Sequence, residues 1–303
     1  MDTRILGSLN VTTVGLGTNN FGFTMAPEDV PAVVDAALDA GITLFDTADS
    51  YLDSEERLGK ALGAHRDEVV IATKFASPLG ADTPGGAAPS YVRQAVERSL
   101  RKLGTDRIDL YQIHRPDPLT PIADTLGALD ELVRAGKVLE IGCSNFSAAQ
   151  LREAEAAVVP GAPSFVSVQN QYNLLQREDE TEVLPTCIDM GIGYLPYFPL
   201  ASGLLTGKYQ RGMPPAPGTR LDKWGEGAQG ALNDANFDTI DALTAWASER
   251  GHTLLDLAFA WLLGHDPVSS VIAGATSASQ VHANVSAGQW KLTPAEIAEV
   301  DAL

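Results

Sequence analysis

Four side chains that could exchange protons stand at or just after three successive apolar runs of this 303-residue sequence. Asp46 ends the run "ITLFD", and Tyr51 follows it five residues later. Lys74 ends "EVVIATK", and His114 ends "IDLYQIH". A tyrosine, with an ordinary pKa of about 10, exchanges protons poorly at neutral pH unless a nearby cation lowers that pKa. Together these side chains predict a site that moves a proton to or from an oxygen atom.

In such a site Lys74 would supply the cation, and Asp46 would hold the lysine charged and oriented. His114 would hydrogen-bond the reacting oxygen beside the phenol. Each side chain alone also fits a structural role, such as a turn residue, a lysine that reaches solvent or a hydrogen-bonded core histidine. The chemical interpretation depends on their coincidence at successive strand ends, because a parallel barrel gathers those ends on one face.

The strands that must position these residues are visible as apolar runs that alternate with segments of helical period, a pattern typical of α/β proteins. Eight strand-helix units without a break in composition predict a single (β/α)8 TIM-barrel domain over residues 1–303. The alternative is a doubly wound sheet with an extra lobe, but "GLGTNNFG" lacks the spacing of that fold's dinucleotide fingerprint. The predicted strands cover residues 13 to 18, 42 to 46, 68 to 74, 108 to 114, 138 to 144, 165 to 170, 192 to 197 and 269 to 274.

Three helices have recognisable boundaries in the sequence. Thr120 is expected to cap a helix that ends at Gly136, and Ser90 is expected to cap one that ends at Gly104. A third helix is expected from about residue 28 to residue 40.

Two long stretches interrupt this alternation, residues 76 to 89 and residues 206 to about 235. Both are rich in Gly, Pro and Ala and have no clear period. Loops of this length are often lids or binding loops, and disorder is the alternative interpretation.

The composition argues against several classes of partner. A formal net charge of −18 disfavours nucleic acid, whose binding needs a basic surface. No apolar run of about 18 residues occurs and the N-terminus does not resemble a signal peptide, so we predict a cytoplasmic protein without a membrane partner. Cys143 and Cys187 are the only cysteines, and both lie beside apolar segments. Reduced core thiols are therefore expected rather than a disulfide or a metal site.

Side chains supply no hydride, so redox chemistry at this face requires a cofactor. Ser144, Asn145 and Gln169, at later strand ends, could hydrogen-bond a carboxamide, and Tyr197 could stack on a planar ring. Residues 274 to 277 open a helix whose free backbone N–H groups favour a phosphate. A helix cap without a ligand is the alternative there.

Several long motifs resemble the aldo-keto reductase superfamily, near its potassium-channel β-subunit-like and general stress-type branches. They are "VGLGTNNFG", "FDTADSY", "IATKF", "SLRKLGTDRIDLYQIHRPDP", "GKVLEIGCSNFS", "VQNQYNLL", "YFPLASGLLTGKY" and "VIAGATSASQVHANV", which together extend over nearly the whole chain. The resemblance implies a (β/α)8 barrel with an N-terminal β-hairpin and long loops at the C-terminal face. It also implies NADP(H) binding without a Rossmann fold and the reduction of aldehydes or ketones to alcohols. In that reaction Tyr51 would be the general acid, Lys74 and Asp46 would tune it, and His114 would orient the carbonyl.

The same resemblance implies three parts of a cofactor site. The nicotinamide end would use Gly17, Thr18, Asp46, Ser144, Asn145, Gln169 and Tyr197; the pyrophosphate region Phe198, Leu200, Ser202, Leu205, Lys208 and Arg220; and the adenosine end Gly274, Thr276, Gln280 and Asn284. Lys208 and Arg220 lie in the second long stretch, which would then fold over the cofactor. Many relatives place Arg or Lys near Thr276 to bind the adenosine 2′-phosphate, but "GATSASQ" has neither. NADP(H) is favoured, and NAD(H) remains the alternative.

The substrate is expected to be a small carbonyl or alcohol compound bound among less constrained residues. The expected pocket residues are Phe21, Phe23, Phe75, Arg115 and Trp224. Converging aromatic rings would suit hydrophobic aldehydes, ketones or the faces of sugars, whereas ordinary loop packing is the alternative. Other functions left open are a nicotinamide-binding regulatory subunit and a barrel isomerase or hydratase that needs no nicotinamide. A monomer or a weak homo-oligomer is expected.

Overall fold

The computed structural model describes residues 1–83, 85–228 and 230–303, and only the backbone of residues 224 and 226. Its strands are β1 (Thr3–Leu6), β2 (Leu9–Thr12), β3 (Val14–Gly17), β4 (Leu44–Asp46), β5 (Val70–Phe75), β6 (Ile108–Ile113), β7 (Val138–Ser144), β8 (Phe165–Gln169), β9 (Gly193–Tyr194) and β10 (Val271–Gly274). β1 and β2 form an antiparallel hairpin. The other eight strands form one sheet in the order β10-β3-β4-β5-β6-β7-β8-β9, with parallel pairing throughout.

Backbone hydrogen bonds close this sheet between β9 and the chain just before β10. The Tyr194 N–H donates to the Pro267 carbonyl at 2.6 Å, and the Ser269 N–H donates to the Tyr194 carbonyl at 2.8 Å. The predicted (β/α)8 barrel is thereby confirmed, and each of its eight parallel strands lies within or overlaps a predicted run.

The helices surround the barrel. They are α1 (Asn19–Phe23), α2 (Val30–Asp39), α3 (Ser54–Leu62), α4 (Pro89–Leu103), α5 (Ile122–Arg134), α6 (Ala148–Ala157), α7 (Val183–Met190), α8 (Arg220–Trp224), α9 (Asp234–Glu249), α10 (Leu254–Leu263), α11 (Ala278–Ala287) and α12 (Pro294–Asp301). Sequential neighbours pack on one another from α2 to α7 and from α9 to α11, and α11 packs back on α2. Their apolar faces and the outer face of the sheet form one continuous core.

Two helix starts differ from the predicted caps. α4 begins at Pro89, so Ser90 lies inside its first turn. α5 has Pro121 at its N-cap position, and the Thr120 hydroxyl instead donates to Asp117 at 2.8 Å. In both places a proline fixes the backbone for helix entry and needs no hydrogen-bond partner for its nitrogen.

The hairpin covers the end of the barrel where the parallel strands begin. Leu6, Leu9 and Val11 are buried in a cluster with side chains of the barrel interior. At the tip, the Ser8 N–H donates to the Glu140 carboxylate at 2.6 Å. A Cβ at Gly193, the first residue of β9, would lie 2.2 Å from Leu6 Cδ1. The barrel is therefore accessible mainly from its opposite face, where the strands end.

The second long stretch contains more helix than its composition indicates. α8 and a 3-10 turn at Gly225–Ala228 lie inside it, and α9 begins at its end. The first stretch is attached to the loop after β6, where the Asp117 carboxylate accepts from the Ala87 N–H at 2.8 Å.

Both cysteines are buried free thiols. Burial raises the pKa of Cys143 well above its ordinary value and raises the pKa of Cys187 to about 12. Within the described ranges, no helix is long and apolar enough to cross a membrane, and no group of three or more His, Cys, Asp or Glu could hold a metal ion.

Close packing of α3 against the end of α4 generates a stability prediction. A Cβ at Gly59 would lie 2.1 Å from the backbone oxygen of Leu103. Because that oxygen cannot move without shifting α4, we expect Gly59→Ala to lower the free energy of unfolding by about 1–3 kcal/mol, measured by urea denaturation.

Gly127→Ala on α5 is the matched control, since a Cβ there meets no atom within 4 Å. It should raise the free energy of unfolding by about 0.5–1 kcal/mol, because alanine favours a helix interior. A similar change in both variants would contradict the packing argument.

Candidate active site

A buried ion pair joins the ends of two neighbouring barrel strands. The Lys74 ammonium on β5 donates to both carboxylate oxygens of Asp46 on β4, at 2.8 and 2.6 Å, and to the Thr47 carbonyl at 2.9 Å. The side chains of Lys74 and Asp46 are only 1% and 5% exposed. Gln169 on β8 also donates to Asp46, at 2.8 Å. Both charges are therefore paired and hydrogen-bonded, as buried charges must be.

Lys74 keeps its charge in this environment. Burial by itself lowers the pKa of the ammonium, but the adjacent Asp46 carboxylate, together with Tyr51, outweighs that effect and raises the pKa. The lysine is accordingly cationic at neutral pH.

Tyr51 lies beside this pair, on the loop between β4 and α3. The Lys74 ammonium is 5.3 Å from the centroid of its ring. α1 packs closely on the same loop, since a Cβ at Gly22 would lie 1.9 Å from the Tyr51 carbonyl oxygen. The Leu52 backbone adopts a left-handed φ of 53°, which turns the chain immediately after the tyrosine. Close packing on α1 and this backbone turn thus constrain the loop that carries the phenol.

The pKa of Tyr51 is raised, mainly by burial, while Lys74 acts in the opposite direction. The effect of the lysine is predictable from the sequence, whereas the larger effect of burial is not. The phenol is therefore protonated at neutral pH, which is the form that can donate a proton.

His114 follows β6 and faces the tyrosine. Its ring meets the Tyr51 ring edge to face, with 5.6 Å between centroids, and its Nδ1 lies 3.4 Å from the Ser50 hydroxyl. Burial, reinforced by the positive charges of Lys74 and Arg115, lowers the pKa of His114 to about 3. The imidazole is neutral at physiological pH, so it can orient an oxygen by hydrogen bonding but carries no charge.

These groups lie in a cleft of about 1080 Å³ at the carboxyl ends of the strands. Most of the predicted site residues line it: Gly17, Thr18, Phe23, Asp46, Tyr51, His114, Arg115, Ser144, Asn145, Gln169, Tyr197, Phe198, Leu200, Ser202, Lys208, Arg220, Gly274, Thr276, Gln280 and Asn284. Lys74 lies behind this wall, in contact with Asp46.

Three predicted site residues lie in the core instead. Phe75 is fully buried and stacks on Tyr111 at 4.7 Å, because successive strand residues point to opposite faces and its neighbour Lys74 points inward. Phe21 is fully buried, whereas Phe23, on another face of the short helix α1, is exposed to the cleft. Leu205 is also fully buried and does not line the cleft. The side chain of Trp224 lies outside the part that the structure describes.

The polar wall beside the ion pair is preorganised. The Ser144 hydroxyl donates to the Gln169 carbonyl at 2.6 Å, and the Asn145 amide donates to the His114 carbonyl at 2.9 Å. The Tyr197 hydroxyl donates to the Asn145 amide oxygen at 2.8 Å. Asn145 has a left-handed φ of 62°, which asparagine tolerates better than most residues. Amide and hydroxyl groups are thereby held along one wall.

A second part of the wall is cationic and comes from the segment that follows β9. Lys208, Arg220 and Lys223 line it. The Arg220 guanidinium donates to the side-chain oxygens of Asn20 at 2.8 Å and Asn19 at 3.3 Å, which connects α8 to α1 across the cleft.

Asn19, Asn20 and Lys223, which are not among the individually predicted site residues, also line the cleft. The first two directly follow Thr18 after β3, so the rule applied to the other strand ends would have found them. Lys223 stands three residues after Arg220, a spacing that places two helical side chains on one face.

Behind the tyrosine loop lies a buried acidic cluster formed by Asp49 and Glu55. They are 3% and 1% exposed, and neither oxygen of Asp49 has a hydrogen-bond partner among the described residues. The nearest cation is Arg98, at 3.9 Å from Asp49. The Asp49 N–H donates to the Lys74 carbonyl at 3.0 Å, which places the cluster directly behind the ion pair. Burial, together with the charge of Glu55, raises the pKa of Asp49 to about 7.

This raised pKa predicts a specific dependence of stability on pH. An unfolded aspartate titrates near pH 4, so between about pH 4 and pH 7 the folded state binds the additional proton. The free energy of unfolding therefore falls as the pH rises through this window, by on the order of 4 kcal/mol from Asp49. We expect Asp49→Asn to flatten the pH dependence of urea unfolding and to stabilise the protein at pH 8 relative to wild type.

Asp35→Asn is the control, because Asp35 is exposed on α2. It should leave the pH dependence of unfolding unchanged. Parallel pH curves for wild type and Asp49→Asn would show that Asp49 does not take up a proton on folding.

Comparison with known proteins adds independent information. Residues 13–303 match the model of the aldo/keto reductase family. L-glyceraldehyde 3-phosphate reductase from Escherichia coli (strain K12) is 33% identical over 309 residues, covering 97% of this chain and 89% of the relative. A probable voltage-gated potassium channel subunit beta from Arabidopsis thaliana is 34% identical over 288 residues, covering 92% and 88%.

Among solved structures, the glycerol dehydrogenase from Gluconobacter oxydans is similar over the whole barrel. Its TM-score is 0.86 at 30% sequence identity, and the alignment covers 99% of this chain and 94% of that one. The resemblance found from the sequence motifs is confirmed by both kinds of comparison.

Proposed function

The chain belongs to the aldo/keto reductase family, and we propose that it reduces an aldehyde or ketone to an alcohol with a nicotinamide cofactor, reversibly. The observation that carries this proposal is the position of Tyr51 beside the buried Lys74–Asp46 pair and against His114, with Tyr51, Asp46 and His114 lining one cleft. A carbonyl oxygen placed between phenol and imidazole would receive the proton of Tyr51.

The wall of the cleft fits such a cofactor. The cleft has a volume of about 1080 Å³, which exceeds the range of about 300–1,000 Å³ common for small-molecule sites. This volume suits a cofactor and a substrate bound together. Ser144, Asn145 and Gln169 offer hydrogen bonds for a carboxamide, and Lys208 and Arg220 offer positive charge for a diphosphate. When bound, the nicotinamide supplies the hydride that no side chain can provide.

In this mechanism each side chain has a separate task. Tyr51 donates its proton to the carbonyl oxygen during reduction and takes it back during oxidation. Lys74, held by Asp46, stabilises the phenolate that remains after the transfer. His114, neutral because of its lowered pKa, hydrogen-bonds the same oxygen and fixes its direction.

We propose NADP(H) as the preferred cofactor, with NAD(H) as the alternative. At the adenosine end the wall offers the hydroxyl of Thr276 and the amide of Gln280. A 2′-phosphate would therefore depend on Lys208 or Arg220 for its positive partner. Binding affinities for NADPH and NADH, measured separately by fluorescence titration, distinguish the two cofactors.

A regulatory subunit that binds nicotinamide with little turnover is the second candidate. It is supported by the similarity to the plant protein named as a probable voltage-gated potassium channel subunit beta. Tight NADPH binding without reduction of any activated aldehyde would favour it. The cytoplasmic location and the monomeric or weakly oligomeric state remain predictions.

The role of Tyr51 is tested by Tyr51→Phe, which keeps the ring and deletes the proton. We expect kcat for an activated aromatic aldehyde such as 4-nitrobenzaldehyde to fall by at least about 100-fold, because general acid catalysis contributes about 10²–10⁴. NADPH oxidation is followed at 340 nm, the usual wavelength for this cofactor, and NADPH binding should be retained.

Tyr91→Phe is the matched control, since the Tyr91 hydroxyl has no hydrogen-bond partner among the described residues and Tyr91 does not line the cleft. It should retain activity within about twofold of wild type. Turnover by Tyr51→Phe within a few-fold of wild type would show that Tyr51 is not the acid.

A further inference from the structure

Arg115, the residue directly after His114, lies on the wall of the cleft with its side chain exposed. It forms no hydrogen bond or ion pair with any of the residues that the structure describes. The positive charge of Arg115 nevertheless acts on residues of the site. It contributes to the lowered pKa of His114 and opposes the rise in the pKa of Tyr197.

The carboxylates that could neutralise Arg115 are engaged elsewhere. Asp117, two residues along the chain, accepts hydrogen bonds from the backbone N–H groups of Ala87 and Leu119 at 2.8 and 2.9 Å. It also accepts from the Thr120 hydroxyl at 2.8 Å. Asp46, the one carboxylate among the described residues of the cleft wall, is paired with Lys74.

Acidic residues outnumber basic ones in this chain, 39 to 21. Several other surface arginines are paired with carboxylates, such as Arg93 with Glu131 at 2.8 Å and Arg134 with Asp130 at 2.9 Å. Arg211 contacts three aspartates within 3.2 Å. Arg115 therefore presents a free guanidinium within an otherwise strongly negative molecule.

Arg115 comes from a different strand end than the other cations of the cleft. Lys208, Arg220 and Lys223 follow β9, whereas Arg115 follows β6, three strands away in the sheet order. Of these three, Lys208 and Arg220 are the cations proposed above for the phosphates of the cofactor. Arg115 stands beside the proton-transferring groups, where the reacting part of a substrate must lie.

We propose that Arg115 makes the site selective for carbonyl compounds that carry a carboxylate or a phosphate group. The inference rests on the proposed carbonyl reduction and specifies its substrate class. Guanidinium groups bind both anions through paired N–H donors. The exposed Phe23 ring lies 6.2 Å from the Tyr51 ring, so the apolar part of the substrate would face Phe23 and the anion would face Arg115.

The test compares anionic and neutral substrates of similar shape, with NADPH as the reductant. One pair is 4-carboxybenzaldehyde and 4-carbamoylbenzaldehyde, and the other is glyceraldehyde 3-phosphate and glyceraldehyde. For each pair the ratio of kcat/KM values is measured in wild type, Arg115→Gln and Arg115→Lys. We expect Arg115→Gln to lower the anionic-to-neutral ratio by about fivefold, as suits a solvent-exposed ion pair, and Arg115→Lys to retain part of it. Added salt should lower the wild-type ratio.

Arg101→Gln is the matched control, because Arg101 is an exposed arginine at the end of α4 and does not line the cleft. It removes the same charge and should leave both ratios unchanged. A fall confined to one pair identifies carboxylate or phosphate as the recognised anion. Equal ratios in wild type and Arg115→Gln overturn the inference and leave the proposed function intact. No turnover with any of the four aldehydes overturns the proposed function and the inference together.

Discussion

The buried pair of Lys74 and Asp46 is the interaction on which the rest of the site depends. Removing two charges from water is costly, and the mutual attraction offsets this cost only when geometry and hydrogen bonding are nearly complete. Here the ammonium is satisfied by one carboxylate and one backbone carbonyl, and the carboxylate also accepts from an amide on β8. The pair therefore requires β4, β5 and β8 to be held in register, which a closed barrel achieves and an isolated strand pair does not.

Burial at the same site favours the uncharged forms of Tyr51 and His114, so the phenol keeps its proton and the imidazole does not gain one. It keeps the Tyr51 phenol protonated, because an ionised phenol would be poorly solvated there, and it keeps the His114 imidazole neutral for the equivalent reason. A proton donor and an uncharged hydrogen-bonding partner thus stand side by side, with one fixed cation behind them. The site therefore derives its chemistry from the barrel as a whole as much as from its individual side chains.

Much of this arrangement could be predicted from the sequence, for a physical reason. Each buried parallel strand is a continuous apolar run, so a polar residue at its end is conspicuous, and the barrel gathers all such ends on one face. The prediction of an aromatic pocket failed at Phe75, where the alternation of side chains along β5 directs the residue after Lys74 into the helix layer. The sequence also could not reveal how strongly burial acts on Tyr51, since desolvation depends on neighbours that are distant in sequence. The Arg220 contacts with α1 were equally hidden, because 200 residues separate Arg220 from Asn20.

The two buried thiols have a practical consequence. The thiolate is the reactive form of cysteine, and the raised pKa of Cys143 and Cys187 leaves almost none of it in the folded protein. Alkylating reagents and mild oxidants can therefore modify these residues only when the barrel opens. Cys143 lies on β7 and Cys187 lies on α7. The rate of covalent labelling at Cys143 therefore reports how often the sheet opens, and the rate at Cys187 reports how often the helix layer opens. The native chain thus carries its own reporter of local unfolding, without any engineered probe.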